Sequence, residues 1–537
     1  MIEFFDTLSK KGLDTVLSRP LYSYKTFEGD EKLFSFLDDI SINNRKVLVH
    51  GDGDPDGAFG AKIVLETLKR LGCTNFEFCK YRVKTHILLD EYVYYAIRNK
   101  FDYMIIVDSS SQNMDHILSL VNSGVKVIVI DHHVNKYKLE DYPKDSVVLN
   151  TTTENSRLGE VRYKLSAGAL TFYLLSEYLR RKGLYYKDLS AYALLTLYSD
   201  CIDMTKSLNR SIYYMATSLP REDLPLYVKH YLTKNEIFCR RFIEFRFIPQ
   251  INSLFRSENM QLVNEYLFEE HTYPEYSDLL NKINDIYVSV RGSISLVSDI
   301  VYKESLNHLI IANLSNVGNN SRQVTMESDN GRFITNNSFL VNNLSNDIIK
   351  NLNNLYNYTG LVANNLSTEF GKPCITLCDT GNGIKASFRD YLSRNYLSKF
   401  KMFCNAEGHP AAFAINLKYS ELSDFLFYIR EIIDKKYYIL KVDEPIEINC
   451  DGNLPNSKLL ESMALYNEFS GIDYPVAIVS KKNNLKASRT YNKYYSYEYK
   501  WGNYKFYSKN VFVPDYVIKL KPVKKAKLNL IVYNRGC

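Results

Sequence analysis

What this chain lacks narrows its reading first. No apolar run in the 537 residues is long enough to cross a bilayer, so no membrane-spanning helix is expected. The opening residues, Met-Ile-Glu-Phe-Phe-Asp, lack the basic start of a secretory signal, and a cytosolic protein is expected. The nine cysteines are scattered, with no Cys-x-x-Cys pair. Cys374 and Cys378 stand four apart, but no neighbouring His or Cys pair completes a zinc site, so reduced thiols are the default. No heptad pattern suggests a dimer helix, and a monomer is expected. The net charge of +6 is small for this length, so attraction for a polyanion has to come from where the charges lie.

What the chain has is a set of strand-like runs that end in aspartate. Lys46-Val-Leu-Val-His50 leads into Gly51-Asp-Gly-Asp-Pro-Asp-Gly57, Tyr103-Met-Ile-Ile-Val leads into Asp108, and Val125-Lys-Val-Ile-Val-Ile leads into Asp131-His132-His133. Continuous β-branched runs suit parallel strands buried on both faces. In an open α/β sheet, the groups just past the strand C-termini share one crevice. Asp52, Asp54, Asp56, Asp108, Asp131, His132 and His133 should therefore crowd together, although a single Asp at a strand end is often only a helix N-cap. So many carboxylates cannot stay ionised side by side without a cation. A divalent metal site holding two ions is the simplest resolution. Hard oxygen ligands with imidazole suit Mn²⁺ or Mg²⁺, the imidazole favouring Mn²⁺. His50, one residue before the Gly-Asp stretch, fits either the edge of that site or a plain strand end.

The length allows three or four domains. Residues 1–40 read as an amphipathic helical lead-in and residues 41–215 as a doubly wound α/β unit with a parallel sheet. Residues 216–350 read as a helical connector with an Asn/Ser-rich insertion from Asn313 to Asn346, where Asn330-Gly331 suggests a hairpin. Residues 351–440 form a second, smaller α/β unit, and residues 441–537 read as β. From Lys481 onward lysines and arginines are opposed only by Glu498 and Asp515, and are interleaved with Tyr491, Tyr494, Tyr495, Tyr497, Tyr499, Trp501, Tyr504, Phe506 and Tyr507. Cations that track phosphates and rings that stack on bases hold single strands without sequence choice. A half-buried sheet with a solvated lysine face gives the same alternation.

Asp-x-Asp-x-Asp-Gly after one strand, Asp after the next and then Asp-His-His resembles the signature of the DHH phosphoesterase superfamily. The order of later segments is similar to its RecJ branch of single-strand-specific DNA exonucleases. Ser166-Ala-Gly168-Ala, Asp200 with Asn209-Arg210, and Phe247-Ile-Pro249-Gln-Ile-Asn252-Ser-Leu-Phe-Arg256 resemble successive RecJ motifs. Gly360-Leu-Val-Ala363, Pro373-Cys-Ile-Thr-Leu377, Lys385-Ala-Ser387-Phe-Arg389 and Gly408-His409-Pro-Ala411-Ala412 resemble the family's second domain, DHHA1. Leu465-Tyr-Asn-Glu-Phe469 through Pro475 is similar to a worn motif of the RecJ OB-fold domain, so the resemblance implies an OB-like β-barrel over residues 441–537.

The resemblance implies a Mn²⁺- or Mg²⁺-dependent exonuclease on single-stranded DNA, 5′→3′, releasing mononucleotides in repair, recombination or replication. It implies Asp52 and Asp54 on a first metal, Asp108 bridging, and Asp56, His132 and Asp200 on a second. Asp131 would orient an imidazole, and His133 would meet the scissile phosphate or the leaving group. Arg82, Ser387 and Arg389 would hold a terminal phosphate. Gly408, His409, Asn252 and Arg256 would follow the strand. A single-strand-binding protein or a helicase is the expected partner, in the cytosol of a bacterium or a phage-infected host. A nano-RNase or cyclic-dinucleotide phosphodiesterase, as in shorter DHH proteins, and a non-catalytic replisome scaffold are the alternatives; a scaffold would have lost metal ligands. The departures lie in substrate-facing loops. Tyr81-Arg82 stands where RecJ has Asn-Arg, Ser109-Ser110 follows Asp108, Glu407 replaces a Gly, and Phe413 stands where a Gly is usual.

Overall fold

A computed structural model describes residues 8–9, 14–83, 88–133, 135–152, 165–233, 236–300, 302–305, 309–314, 327–328, 331–332, 355–370, 372–390, 396–409, 412–433, 446–449, 457–469 and, in the C-terminal segment, 477–482, 487–492, 495–501, 504–508, 515–521 and 529–533. Lys84, His86, Pro410, Ala411, residues 470–476 and most of the Asn/Ser-rich insertion lie outside the described residues, as do the side chains of the basic C-terminal strands. The chain divides into two units. One comprises Met1–Phe255, Met260–Leu280 and Asp443–Cys537; the other comprises Arg256–Asn259 and Asn281–Val442.

The first unit runs α1 (Asp30–Asn43), β1 (Val47–Gly51), α2 (Pro55–Arg70), β2 (Phe76–Phe78), α3 (Asp90–Arg98), β3 (Tyr103–Val107), α4 (Met114–Asn122), β4 (Lys126–Asp131) and β5 (Ser146–Asn150). Helices follow: α5 (Ala167–Arg181), α6 (Ser190–Ser199), α7 (Ser207–Thr217), α8 (Leu226–Tyr231), α9 (Ile248–Arg256), α10 (Met260–Phe268) and α11 (Tyr273–Ile300), which begins in this unit and after Leu280 belongs to the second. The strands pair in parallel in the order β2-β1-β3-β4-β5. Every residue of β1, β3 and β5 is buried, which is why these runs are continuously apolar. Leu48, Met104, Ile106 and Val129 pack against Tyr92 and Ala96 of α3 and Ile117 and Leu120 of α4. On the opposite face Ile105, Ile128 and Ile130 meet Leu33, Val64 and Leu175 of α1, α2 and α5. The strand order reverses between β1 and β3, and a ligand crevice lies past such a reversal at the strand C-termini.

One close approach fixes how β1 hands over to α2. A Cβ on Gly51 would lie 2.2 Å from the Gly57 carbonyl oxygen, and one on Gly57 would lie 2.3 Å from the Asp52 nitrogen. Strand end and helix start therefore touch backbone to backbone, and only glycine fits. Asp54 caps α2, accepting from the N–H groups of Asp56 and Gly57, with Pro55 in the first turn.

In the second unit, β6 (Tyr302–Ser305) and β7 (Ile310–Asn313) precede a small antiparallel pair, β8 (Glu327–Ser328) and β9 (Gly331–Arg332). Then come α12 (Thr359–Phe370), β10 (Cys374–Asp379), β11 (Ile384–Arg389), α13 (Leu397–Lys401), β12 (Ala406–His409), β13 (Ala412–Leu417) and α14 (Leu422–Ile432). The sheet order is β12-β13-β11-β10-β7-β6. The sequence reading placed residues 302–313 in the connector; here β7 pairs in parallel with β10 and belongs to this sheet. Phe413, the departure from a usual Gly, is core: it stacks on Phe388 at 4.8 Å and meets Phe400 edge-on.

The C-terminal segment holds β14 (Ile446–Asn449), α15 (Ser457–Phe469), β15 (Ala477–Lys482), β16 (Ala487–Asn492), β17 (Tyr495–Trp501), β18 (Tyr504–Ser508), β19 (Asp515–Lys521) and β20 (Asn529–Tyr533). Where the sequence suggested a small OB-like barrel, the described strands form a seven-stranded sheet in the order β14-β15-β19-β20-β18-β17-β16, and a helix precedes most of them. That helix packs into the first unit. Glu468 is buried there and accepts from the Tyr213 hydroxyl at 3.1 Å, and the Phe469 ring lies 5.0 Å from that of Tyr213. Among the described residues no helix is long and apolar enough to cross a membrane.

The Gly51–Gly57 contact yields a prediction. Gly57→Ala should lower unfolding stability by about 1–3 kcal/mol, read by urea titration, because the methyl group meets backbone that cannot yield.

Candidate metal centre

The tips of β1, β3 and β4 and the end of α6 deliver the acidic residues to one place. Asp52 and Asp56 are buried, and Asp54 caps α2 between them. Asp108 follows β3 in a left-handed conformation, φ 68°, which Asp tolerates better than most residues and which turns it off the strand line. Asp200 caps the C-terminus of α6. Three sets of side chains each bring ligand atoms within 4.8 Å of one another: Asp52, Asp54 and Asp108; Asp56, His132 and Asp200; and Asp108, His132 and His133. His132 Nε2 lies 3.1 Å from Asp200 Oδ2, 3.3 Å from Asp108 Oδ1 and 3.8 Å from Asp56 Oδ2.

The electrostatics of this cluster fit a cation. Burial, reinforced by the neighbouring aspartates, holds the Asp56 and Asp108 carboxyls well above their ordinary range. Asp56 is affected despite accepting the N–H groups of Ala167 and Gly168 at the start of α5, at 2.8 and 2.9 Å. Asp108 Oδ1 and Asp200 Oδ2 are buried acceptors that take no hydrogen bond among the described residues. Oxygen donors, imidazole nitrogens and a crowd of buried, mutually repelling carboxylates suit divalent Mn²⁺ or Mg²⁺, whose charge would relieve the repulsion.

Asp131 plays a different part. Its Oδ1 accepts the N–H groups of His132 and His133 at 2.7 and 3.1 Å and pairs with His133 Nδ1 at 2.8 Å, and its Oδ2 accepts from Ser111. Burial alone would raise Asp131, but His133 and these donors hold it well below the usual carboxylate range. Burial would lower the His133 imidazole, yet Asp131, aided by Asp52 and Asp200, lifts it to about 10. His50 lies outside the three sets, buried against the rings of Tyr81 and Tyr92, and burial lowers it to about 4.

The other sequence candidates fall in both units. Arg82, on the first, is exposed and pairs with Glu91 at 2.9 Å. Asn252 and Arg256 are four apart on α9, both half-buried. In the second unit Ser387 and Arg389 converge on the first turn of α12. The Ser387 and Thr359 hydroxyls share a hydrogen bond of 2.8 Å, and the Arg389 guanidinium fills the space where a Gly360 side chain would lie. Arg256 adds its charge to this unit and, after burial, helps to lower the Lys385 ammonium. Gly408 has φ 136°, and a Cβ there would sit 2.8 Å from the Ala412 carbonyl oxygen, so its own hairpin already demands glycine. His409 lies on β12 opposite Ala412, and its side chain is outside the described part.

Sequence reasoning gave no role to the residues that brace this centre. Asn150 donates to the Ser111 hydroxyl and the His133 carbonyl, which Thr152 also binds, so the turn after β5 holds the His-His loop. Buried Arg210 reaches the carbonyls of Thr205 and, at 2.8 Å, Thr15, while Asn209 binds the Asp203 carbonyl at 2.9 Å. Together they pin the loop that follows Asp200. Asn209-Arg210 was visible as a motif; Asn150 gave no signal.

Residues 46–199 match the family model described as DHH family, N-terminal domain. The chain carries a DHH family domain. It is 23% identical over 453 residues to the SPbeta prophage-derived protein YorK of Bacillus subtilis (strain 168), provisionally named a single-strand DNA-specific exonuclease, covering 79% of this chain and 71% of YorK. It is 30% identical over 107 residues to the single-stranded-DNA-specific exonuclease RecJ of Thermus thermophilus, covering 20% of this chain and 16% of RecJ. A crystal structure of Thermus thermophilus RecJ in complex with Mn²⁺ shares the fold, with a TM-score of 0.67 at 15% identity over 99% of this chain and 74% of that one.

The DHH domain's crowded carboxylates set a measurable trade-off. In chelator near neutral pH, Asp108→Asn should be more stable than the native protein by roughly 0.5–2 kcal/mol, because the cost of burying or protonating this carboxylate is removed at constant volume. Adding Mn²⁺ should raise the unfolding midpoint of the native protein and leave that of the variant nearly unchanged, as thermal denaturation would record.

Proposed function

We propose that this protein is a Mn²⁺- or Mg²⁺-dependent exonuclease that hydrolyses single-stranded DNA from its 5′ end to mononucleotides. The observation that carries the reading is the buried cluster of Asp52, Asp54, Asp56, Asp108, His132 and Asp200, whose donors suit two divalent cations. Similarity to proteins named as single-strand-specific DNA exonucleases supplies the substrate class. In this reading Asp52 and Asp54 would hold one cation, Asp56, His132 and Asp200 would hold the other, and Asp108 would be shared between them. When bound, the cations supply a deprotonated water at neutral pH and relieve charge on the leaving oxygen. Asp131 fixes the His133 ring, and the protonated ring faces the scissile phosphate or gives its proton to the leaving oxygen.

Polarity comes from a pocket for the terminal phosphate. Ser387 and Arg389 in the second unit and Arg82 in the first are each candidates to contact that phosphate, guanidinium forks matching phosphate geometry and the hydroxyl adding a donor. Asn252, Arg256, Gly408 and His409 lie along the strand. The basic, aromatic C-terminal segment serves as an OB-like grip on the rest of the single strand. The protein works as a monomer in the cytosol during repair, recombination or replication, recruited by a single-strand-binding protein or a helicase.

Digestion of a long single-stranded DNA labelled at one end, with Mn²⁺, tests this. The 5′ label should appear at once as a mononucleotide, and Asp108→Ala should lower the rate by about 10²-fold or more. Earlier loss of a 3′ label would reject the polarity and the pocket. No cleavage of long DNA, with turnover of di- to pentanucleotide RNA or cyclic dinucleotides, would move the substrate to small phosphodiesters. Asp131→Asn should cost about 10–100-fold in rate while leaving the fold intact.

A further inference from the structure

The segment that follows β2 carries Arg82, yet the sheet stops guiding it almost at once. β2 is three residues long, and the Cys79 N–H, which donates to the Val49 carbonyl at 2.8 Å, makes the last backbone bond from this segment to β1 among the described residues. From there α10 guides it. The Tyr81 N–H donates to Asn264 Oδ1 at 3.0 Å, and Asn264 Nδ2 donates to the Tyr81 carbonyl at 2.9 Å. The amide thus makes both bonds that a neighbouring strand would have made. Both residues are buried, and the stack of Phe78 on Phe268, 3.6 Å apart and 5° from parallel, clamps the same two elements. Held this way, the Tyr81 hydroxyl donates to the Asp52 carbonyl at 2.9 Å. The next residue, Arg82, has its own N–H on the Tyr92 hydroxyl at 3.3 Å.

We propose that Asn264 is a positioning residue that acts through Tyr81 on two places at once, the Asp52 cation ligand and the Arg82 end of the substrate path. This deepens the nuclease reading above and, for its Arg82 half, rests on it. Two features favour a positioning role over simple packing. The amide's two bonds are reciprocal and fix one backbone unit in orientation as well as place. The tyrosine's only polar side-chain atom ends on the peptide of a candidate ligand.

The test uses the full chain and two variants, Tyr81→Phe and Asn264→Leu, with Mn²⁺ binding read by electron paramagnetic resonance in the absence of DNA. Tyr81→Phe keeps the ring and removes only the bond to Asp52. Both variants should bind the weaker Mn²⁺ about 10-fold less tightly, in the range seen when an outer partner of a metal ligand is lost. At saturating Mn²⁺, Asn264→Leu should also raise KM for 5′-phosphorylated oligonucleotide with kcat nearly unchanged, and lose the native preference for a 5′-phosphate over a 5′-hydroxyl end. Tyr81→Phe should keep that preference. Native Mn²⁺ affinity in Tyr81→Phe would overturn the link to Asp52, and an unchanged end preference in Asn264→Leu would overturn the link to Arg82. Should Asn264→Leu not fold, Asn264→Asp, which keeps the acceptor for the Tyr81 N–H and loses the donor to its carbonyl, takes its place, and an unchanged end preference in that variant overturns the link to Arg82. A native protein that binds Mn²⁺ but cleaves no DNA would defeat the nuclease reading while leaving the metal-binding comparison intact.

Discussion

Mutual repulsion among buried carboxylates is the constraint around which the first unit is organised. Asp52, Asp54, Asp56, Asp108 and Asp200 are gathered where the sheet order reverses, and the parallel strands beneath them are too well buried to let them spread. Among the described residues, fixed dipoles answer this repulsion. The first turn of α5 faces Asp56, the first turn of α2 faces Asp54, and the backbone of the His-His turn faces Asp131. Helix N-termini and turns favour carboxylates without filling the space that cations need. An arginine in that space would have settled the charge and removed the reason to bind metal.

The strain in this region belongs to the same design. Asp108, Ser110 and Cys201 all take left-handed backbone conformations, each beside or within a set of candidate ligands. Such geometry persists only where the surroundings over-determine it. Here Asp108 donates its N–H to the Ile130 carbonyl, Asp131, Tyr142 and Asn150 hold Ser111 beside Ser110, and Asn209 and Arg210 bind the Asp203 and Thr205 carbonyls just past Cys201. Residues with no direct place in the chemistry thus set the spacing of those that have one.

Much of this was legible in the sequence where a local pattern forces a result. The runs ending at His50, Val107 and Asp131 read as strands because β-branched residues buried on both faces leave no other economical choice, and they are β1, β3 and β4. The gathering of their aspartates followed from parallel topology alone. Long-range pairing was less visible. β6 and β7 are short and follow a long helix, so nothing local ties them to β10. The helix α15 interrupts what composition reads as a β segment, and the reciprocal Asn264–Tyr81 bonds join residues far apart in sequence. The Tyr and Lys alternation of the last strands expresses β-structure and says little about how seven strands are ordered.

The first unit is discontinuous: the chain leaves it after Leu280 and returns at Asp443. Helix α15 then supplies Glu468 and Phe469 to a pocket lined by Tyr198 and Tyr213, and Tyr198 lies two residues before Asp200. During synthesis on the ribosome, the tyrosines that flank this candidate ligand must therefore wait for more than two hundred further residues before their packing is complete. A nascent chain has its aspartates and strands early but lacks the helix that closes over the end of α6. A chain cut short within the second unit therefore carries every candidate ligand from Asp52 to Asp200 but not the helix that packs on Tyr198 and Tyr213.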